Sequence, residues 1–121
     1  MNIVGKWRIT EMETWNRDAI DLVGPAFIEF TGQGGQFHFI VVDGWMACRH
    51  KDKNGRPHVE FTWSGNDECD PASGHGWARM EKDGTLTGRI YIHQGDDSAF
   101  KATLFVEEPK PVVPRASTQT K

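Results

Sequence analysis

The sequence predicts an all-β, mainly antiparallel fold of about eight strands, closed as an up-and-down barrel with one short helix after the first strand. Three observations support this prediction. Aromatic residues are plentiful, with seven Phe, five Trp and one Tyr, and aromatic side chains fit pleated sheets. Thirteen Gly and six Pro indicate many turns. Apolar and polar residues alternate along most of the chain, which is the period of a half-buried strand.

The first strand and the helix are predicted near the N-terminus. In GKWRITEM, Trp7 and Ile9 fall on one face of a strand and charged residues fall on the other. In the following WNRDAIDLVGP, Asn16 is suited to cap a helix, and Gly24-Pro25 is suited to end it. The sequence therefore predicts one helix of about two turns.

Seven further strands are predicted, each bounded by a short turn. They are AFIEF (26–30), GQFHFIVV (35–42), WMACRH (45–50), HVEFTW (58–63), GWARM (76–80), LTGRIYIH (86–93) and SAFKATLF (98–105). The pairs Asp43-Gly44 and Asn54-Gly55 are typical two-residue hairpin turns. Short connections of this kind indicate antiparallel neighbours.

Closure of the sheet follows from the shortage of helices. One short helix does not cover an eight-stranded sheet, so the sheet must close on itself or fold over to bury its apolar face, and a closed barrel is the preferred prediction. Closure also removes the exposed edges. We expect one domain over residues 1–106. The segment 107–121, EEPKPVVPRASTQTK, contains three prolines and mixed charge, and we predict that it is a disordered tail.

Composition narrows the classes of partner and the location. The net charge is −3 and the sequence shows no basic stripe, so we predict no nucleic-acid partner. No apolar run approaches the length of a membrane span, and the N-terminus lacks the apolar core of a signal peptide, so we expect a cytoplasmic protein. Cys48 and Cys69 are expected to be free thiols. The absence of Cys-x-x-Cys argues against a zinc ribbon, and we predict no cofactor.

The segment 61–80, FTWSGNDECDPASGHGWARM, is the main candidate for chemistry. Four ionisable residues fall within nine positions: Asp67, Glu68, Asp70 and His75. We interpret the stretch 66–76 mainly as a structural turn, in which Asn, Asp, Pro and Gly bend the chain. The alternatives are a rim that contacts a ligand or partner, a metal site using Cys69 and His75, and a carboxylate pair for glycoside hydrolysis.

The tryptophans and one apolar pair give further candidates. Trp63 and Trp77 belong to strand faces that are predicted to be buried, whereas Trp45 follows a predicted hairpin and is expected to be an exposed anchor for a partner. Ile40 and Val42 are predicted to point outward and to mark an association patch. His38, His58 and His93 are placed by alternation on the outer face, where we expect them to be exposed rather than to share a metal.

Two resemblances accompany this reading. Gly5-Lys6-Trp7 on the first strand resembles the Gly-x-Trp opening of the lipocalin and calycin barrels, which implies a calycin-like barrel. The segments GKWRITEME and FTWxGNDExD, with a following GWA, resemble segments found in a group of small bacterial proteins. That second resemblance covers nearly the whole predicted domain and implies no particular activity.

The sequence leaves three functions open. The preferred hypothesis is a non-enzymatic protein-interaction or structural module, with homodimerisation as one form of association. The alternative is a barrel that binds a small, partly apolar molecule in its lumen, among Phe39, Phe61, Trp63 and Ile92. A metal- or carboxylate-dependent hydrolase is third. No catalytic or metal-binding residue is predicted, and the candidate binding residues are Trp45, Trp63, Asp67, Glu68, Asp70, His75 and Trp77.

Overall fold

The computed structural model describes residues 2–106, which form a closed barrel of eight antiparallel strands. Each strand pairs with its neighbours in the chain, and the last strand closes on the first. The predicted fold class is therefore confirmed. The predicted disordered tail lies outside the described residues. The elements are β1 Gly5–Met12, α1 Arg17–Ile20, β2 Phe27–Phe30, β3 Gly34–Phe39, β4 Val42–Lys53, β5 Arg56–Asp67, β6 Asp70–Met80, β7 Leu86–Ile92 and β8 Asp97–Leu104.

The barrel interior is filled with aromatic side chains that lie over glycines. Phe37 is the direct cross-strand partner of Gly44, and a Cβ at Gly44 would lie 2.4 Å from the ring of Phe37. Glycine thus makes room for a neighbouring ring, an arrangement known to pin strand register. The same relation recurs in three further cross-strand pairs: Phe61 with Gly76, Trp63 with Gly74, and Phe100 with Gly88.

The hairpin predicted at Asp43-Gly44 is wrong. Phe39 pairs with Val42, so the turn consists of Ile40 and Val41. Gly44 lies inside β4 because the ring of Phe37 needs the space that a side chain would fill. Val42 consequently faces the core and is buried, and Ile40 is partly buried against it. The predicted outward patch of Ile40 and Val42 is therefore wrong as well.

The stretch 66–76 is not a loop. β5 continues to Asp67 and β6 begins at Asp70, so the connection is a two-residue turn of Glu68 and Cys69. Glu68 adopts the left-handed conformation with φ 59°. The residues before and after this turn have a turn-forming composition. They nevertheless pair between β5 and β6, and they therefore belong to the strands. The predicted turn at Asn54-Gly55 is confirmed, because Lys53 pairs with Arg56 across it.

The helix is shorter than predicted but begins where expected. It contains a single turn, Arg17–Ile20, and the side chain of Asn16 accepts a hydrogen bond from the backbone N–H of Ala19 at 2.9 Å. Such a cap is the usual helix start. The preceding Trp15 packs on Phe39, with ring centroids 5.4 Å apart. Trp15 therefore contacts the core beside the helix.

Candidate binding groove

A wide groove lies on the outer face of strands β4 to β7. It encloses about 940 Å³. We call it the outer groove. Its lining combines charged, aromatic and small residues: Gln33, Ala47, Cys48, Arg49, Lys53, His58, Glu60, Phe61, Thr62, His75, Gly76, Trp77, Arg79 and Tyr91.

Strand register assembles this groove from residues that are far apart in the sequence. Trp77 on β6 lies between Glu60 on β5 and Arg89 on β7. Two residues earlier on β6, and on the same face, His75 lies between Thr62 on β5 and Tyr91 on β7. Because side chains on one face of a sheet recur at every second residue, these rows form one continuous outer surface.

Two stacked aromatic pairs form the middle of the outer groove. The rings of His58 and Trp77 are 5.9 Å apart at 10°, and those of His75 and Tyr91 are 4.4 Å apart at 10°. The guanidinium of Arg79 lies 5.5 Å from the centroid of the Trp77 ring. The ring faces are therefore engaged by one another and by arginine, as is common for aromatic and cationic side chains.

The outer groove carries a local excess of positive charge. Glu60 is its only carboxylate among the described lining residues, and Lys51 pairs with Glu60 at 3.2 Å. The hydrogen bond from Lys51 lowers the pKa of Glu60, so this carboxylate is charged. Among residues 2–106, Arg49 and Lys53 form no ion pair. Uncompensated cations therefore remain in the groove of a protein whose net charge is −3.

His58 is the least expected member of the groove. It is 8% exposed and lies on the outer face opposite Arg79. Within the described part of the chain, its ring makes no hydrogen bond to another protein group. Burial, reinforced by the charge of Lys53, lowers the pKa of His58. The ring is therefore neutral at pH 7, and a buried polar ring without a partner is uncommon in folded proteins.

The structure separates the seven predicted binding residues into four places. His75 and Trp77 line the outer groove. Trp77 is only half-buried and faces outward, so its predicted burial is wrong. Trp63 is buried inside the barrel and donates its indole N–H to the carbonyl of Tyr91 at 3.1 Å. Trp45 is 54% exposed on the outer face of β4, as predicted.

The remaining three predicted residues, Asp67, Glu68 and Asp70, lie at the exposed tip of the β5–β6 hairpin. Asp67 and Asp70 are cross-strand neighbours there, in contact with solvent rather than in a cleft. Glycoside hydrolysis requires an acid whose pKa is raised by burial. The position of these carboxylates gives no support to that chemistry.

Sequence reasoning missed most of the cationic and aromatic lining of the groove. Arg49, His58, Arg79 and Tyr91 were not predicted as binding residues, although each occupies an outer position of its strand. The alternation of HVEFTW and GWARM shows which residues of these strands point outward. It does not reveal that four different strands bring them to one place.

Metal and thiol chemistry receive no support from the described residues. No group of three or more His, Cys, Asp or Glu side chains in residues 2–106 is arranged to hold a metal ion. His38 instead contacts Asp43 at 2.8 Å, and the predicted outer-face histidines are not brought together. Both cysteines are free, and burial raises the pKa of Cys48 to about 11.

None of the helices in the described region has the length and apolar character needed to span a membrane.

Comparisons with known proteins found no matching family model, no matching curated protein and no matching solved structure. The resemblance to calycins and to the group of small bacterial proteins therefore stays a prediction, and the outer groove has to be interpreted from its own chemistry.

Proposed function

We propose that this protein is a non-enzymatic interaction module that binds an extended acidic segment of a partner protein in the outer groove. The observation that carries the proposal is the joint presence of stacked aromatic rings and uncompensated cations on one concave face. Aromatic residues and arginine are enriched at the centres of protein interfaces.

The barrel interior supports an external site. Phe37 and Trp63 meet edge to face with centroids 5.0 Å apart, and Phe37 stacks on Phe39 at 5.8 Å. Phe61 also contacts this cluster. Side chains occupy the space that a luminal ligand would need, in keeping with the small diameter of an eight-stranded barrel.

Charge and ring geometry together favour an acidic polypeptide. The cations Arg49 and Lys53 attract carboxylates and speed association with an acidic partner. A single-stranded nucleic acid would need open ring faces on which its bases stack. Here Tyr91 stacks on His75, and both His58 and Arg79 lie against the ring of Trp77, so part of the ring surface is already occupied. Ring edges and methylene stems suit the mixed polar and apolar surface of a peptide.

The test uses a fluorescein-labelled decapeptide of alternating Glu and Leu, with the Gln-Leu and Lys-Leu peptides as comparisons. We expect saturable binding by fluorescence anisotropy for the Glu-Leu peptide alone, weakened by added salt because the contacts are electrostatic. Amide shifts in a nitrogen-15 NMR spectrum should map to β4, β5 and β6. Arg49→Gln and Trp77→Leu should each weaken binding about tenfold, a change of about 1.4 kcal/mol.

Matched variants separate the groove from the rest of the outer surface. Trp45→Leu removes another outward tryptophan, and Arg17→Gln removes the same unit charge from the helix; both should leave affinity unchanged. Equal losses in these controls, or shifts that map outside the groove, contradict the proposal. Tighter binding of an oligothymidylate than of the acidic peptide also contradicts it, and assigns the groove to nucleic acid.

A further inference from the structure

A smaller pocket opens at the end of the outer groove, beside the turn between β4 and β5. It encloses about 230 Å³ and is lined by Lys53, Asn54, Arg56, His58 and Arg79. We call it the side pocket. Three of its residues also line the outer groove, so the two features are continuous.

The lining of the side pocket consists almost wholly of hydrogen-bond donors. It contains one ammonium, two guanidinium groups, one amide and one imidazole. The carboxylate of Glu81 pairs with Arg56 at 3.1 Å and with Arg79 at 2.8 Å. Counting Lys53, Arg56 and Arg79 against Glu81, three positive charges face one negative charge, which leaves an excess of two.

Glu81 is fully engaged by these contacts. It also accepts a hydrogen bond from the hydroxyl of Thr87, and the hydrogen bonds from Thr87 and Arg79 lower its pKa. One carboxylate is thus shared by two arginines and a hydroxyl, while Lys53 has no carboxylate partner within residues 2–106.

His58 gives an independent reason to expect a ligand. More than nine-tenths of this residue is buried, its ring lines both the outer groove and the side pocket, and no described protein group bonds to it. A buried polar group without a partner typically destabilises a protein by about 1–3 kcal/mol relative to a satisfied group. An acceptor bound in the pocket would satisfy the ring N–H.

We propose that the side pocket binds a doubly charged tetrahedral oxyanion of the phosphate class. A carboxylate carries one charge on two coplanar oxygens, whereas a phosphate or sulfate dianion carries two charges on oxygens that point in several directions and can accept from donors on several sides at once. The donors of Lys53, Arg56, His58 and Arg79 come from three strands and surround one small volume. The inference goes beyond the proposed function, because the pocket is complete without a peptide in the groove.

Binding of the anion is linked to the protonation of His58. The charged groups that face this ring are Lys51 and Lys53 from β4, Glu60 from β5 and Arg79 from β6. A bound dianion offsets the cations that disfavour a second proton on the imidazole. The pKa of His58 therefore rises on binding, and affinity for an anion that stays doubly charged increases as the pH falls toward and below 6.5, the ordinary value for histidine.

The experiment titrates the full chain with inorganic phosphate and with sulfate at constant ionic strength, followed by nitrogen-15 NMR. Sulfate stays doubly charged between pH 5 and 8, so it isolates the protonation of the protein. We expect saturable shifts at residues 53–58 and 79, and sulfate affinity about threefold higher at pH 5.5 than at pH 7.5. Lys53→Gln should weaken binding about fivefold or more, and His58→Gln should remove the pH dependence.

Arg17→Gln is the matched control, because it removes one positive charge from the helix, outside the side pocket. Two results overturn the proposal. One is NMR shifts that grow linearly with anion concentration and are as large with chloride as with sulfate. The other is an equal loss of sulfate affinity in Lys53→Gln and Arg17→Gln. A Glu-Leu decapeptide that carries a phosphoserine distinguishes the sources of the anion. Binding well above that of the unphosphorylated peptide assigns the phosphate to a partner segment, and binding no tighter than inorganic phosphate assigns a free anion. Failure of the unphosphorylated peptide leaves the anion result intact, so the two proposals fail separately.

Discussion

Gly44→Ala tests the packing of aromatic rings over glycines, on which the filled barrel depends. The added Cβ would lie 2.4 and 2.5 Å from two atoms of the Phe37 ring, and real Cβ atoms do not approach so closely. The ring has little freedom to move away. It is 1% exposed and lies against Phe39, Phe61 and Trp63.

The expected magnitude combines two opposing effects. Overpacking a core side chain typically destabilises a protein by about 1–3 kcal/mol. Replacing glycine with alanine stabilises by about 0.4–1 kcal/mol, because the unfolded chain becomes less flexible. Gly44 has no positive φ, so backbone strain adds nothing. We expect a net loss of about 1–2 kcal/mol in the free energy of unfolding.

The assay is urea unfolding followed by circular dichroism. With a slope of about 1–3 kcal/mol per molar urea, the midpoint should fall by about 0.5–1 M and the slope should not change. Gly34→Ala is the matched control, since Gly34 is also a strand glycine and its nearest atoms would be 3.7 Å from the new Cβ. That variant should equal the parent or exceed it slightly in stability.

A double-mutant cycle decides whether the ring is the cause. Phe37→Leu alone should destabilise by about 1–2 kcal/mol, because it leaves a cavity beside Gly44. In the double variant the new methyl group fills part of that cavity. The two changes should therefore show a favourable coupling of about 0.5 kcal/mol or more. A Gly44→Ala variant as stable as Gly34→Ala, or strictly additive effects in the cycle, would refute the reasoning.

Three further predictions concern the rest of the barrel. Asp21→Asn should destabilise by about 1–2 kcal/mol at pH 7, because Asp21 accepts two hydrogen bonds of 2.7 Å from Arg8. Arg8 lowers the pKa of Asp21. The contribution of the Asp21 carboxylate to stability is therefore present above its ordinary pKa of 3.8 and is lost as the pH falls through the lower folded value. The urea midpoints of the parent and the Asp21→Asn variant should therefore converge near pH 2. A thiol reagent at pH 8 should modify the exposed Cys69 and spare Cys48, whose pKa burial raises to about 11, and mass spectrometry counts the adducts in native and unfolded protein. Glu68→Asn should be about 0.5–1 kcal/mol more stable than Glu68→Ala by thermal unfolding, because asparagine tolerates the left-handed φ of 59° at this turn; equal stability of the two variants would contradict that explanation.

The fold could be predicted from the sequence because its period-two alternation is strong. Trp7, Ile9, Phe61 and Trp63 all face the core as their alternation requires. The turn positions were harder to predict. Asp43-Gly44 has the composition of a hairpin, yet the space needed by the Phe37 ring places Gly44 within a strand. That requirement depends on a cross-strand neighbour, which local sequence does not specify.

The lining of the outer groove was harder to predict from the sequence for the same reason. The cationic residues Arg49, Lys53 and Arg79 are distributed over two strands and are separated in the sequence by carboxylates. The basic segment RHKDKNGR, residues 49–56, supplies part of this charge, but only strand register brings Arg79 to it. His58 is equally inconspicuous, because its burial arises from Trp77, which stacks on it from the neighbouring strand. Register creates both the charge excess and the unsatisfied ring.

Strand β6 links the filled interior to the outer groove. Most of its core-facing residues are small, Gly74, Gly76 and Ala78, because the rings of Trp63 and Phe61 occupy the space on that side; Met80, at the end of the strand, is the larger one. Its outward residues are large: His75, Trp77 and Arg79. A strand that only closed a barrel would carry its large apolar residues on the inner face. The core does not require a tryptophan at position 77, and its half-buried ring adds apolar surface to a concave, cationic face. This inverted pattern is most simply explained if the outer face of β6 has a binding partner.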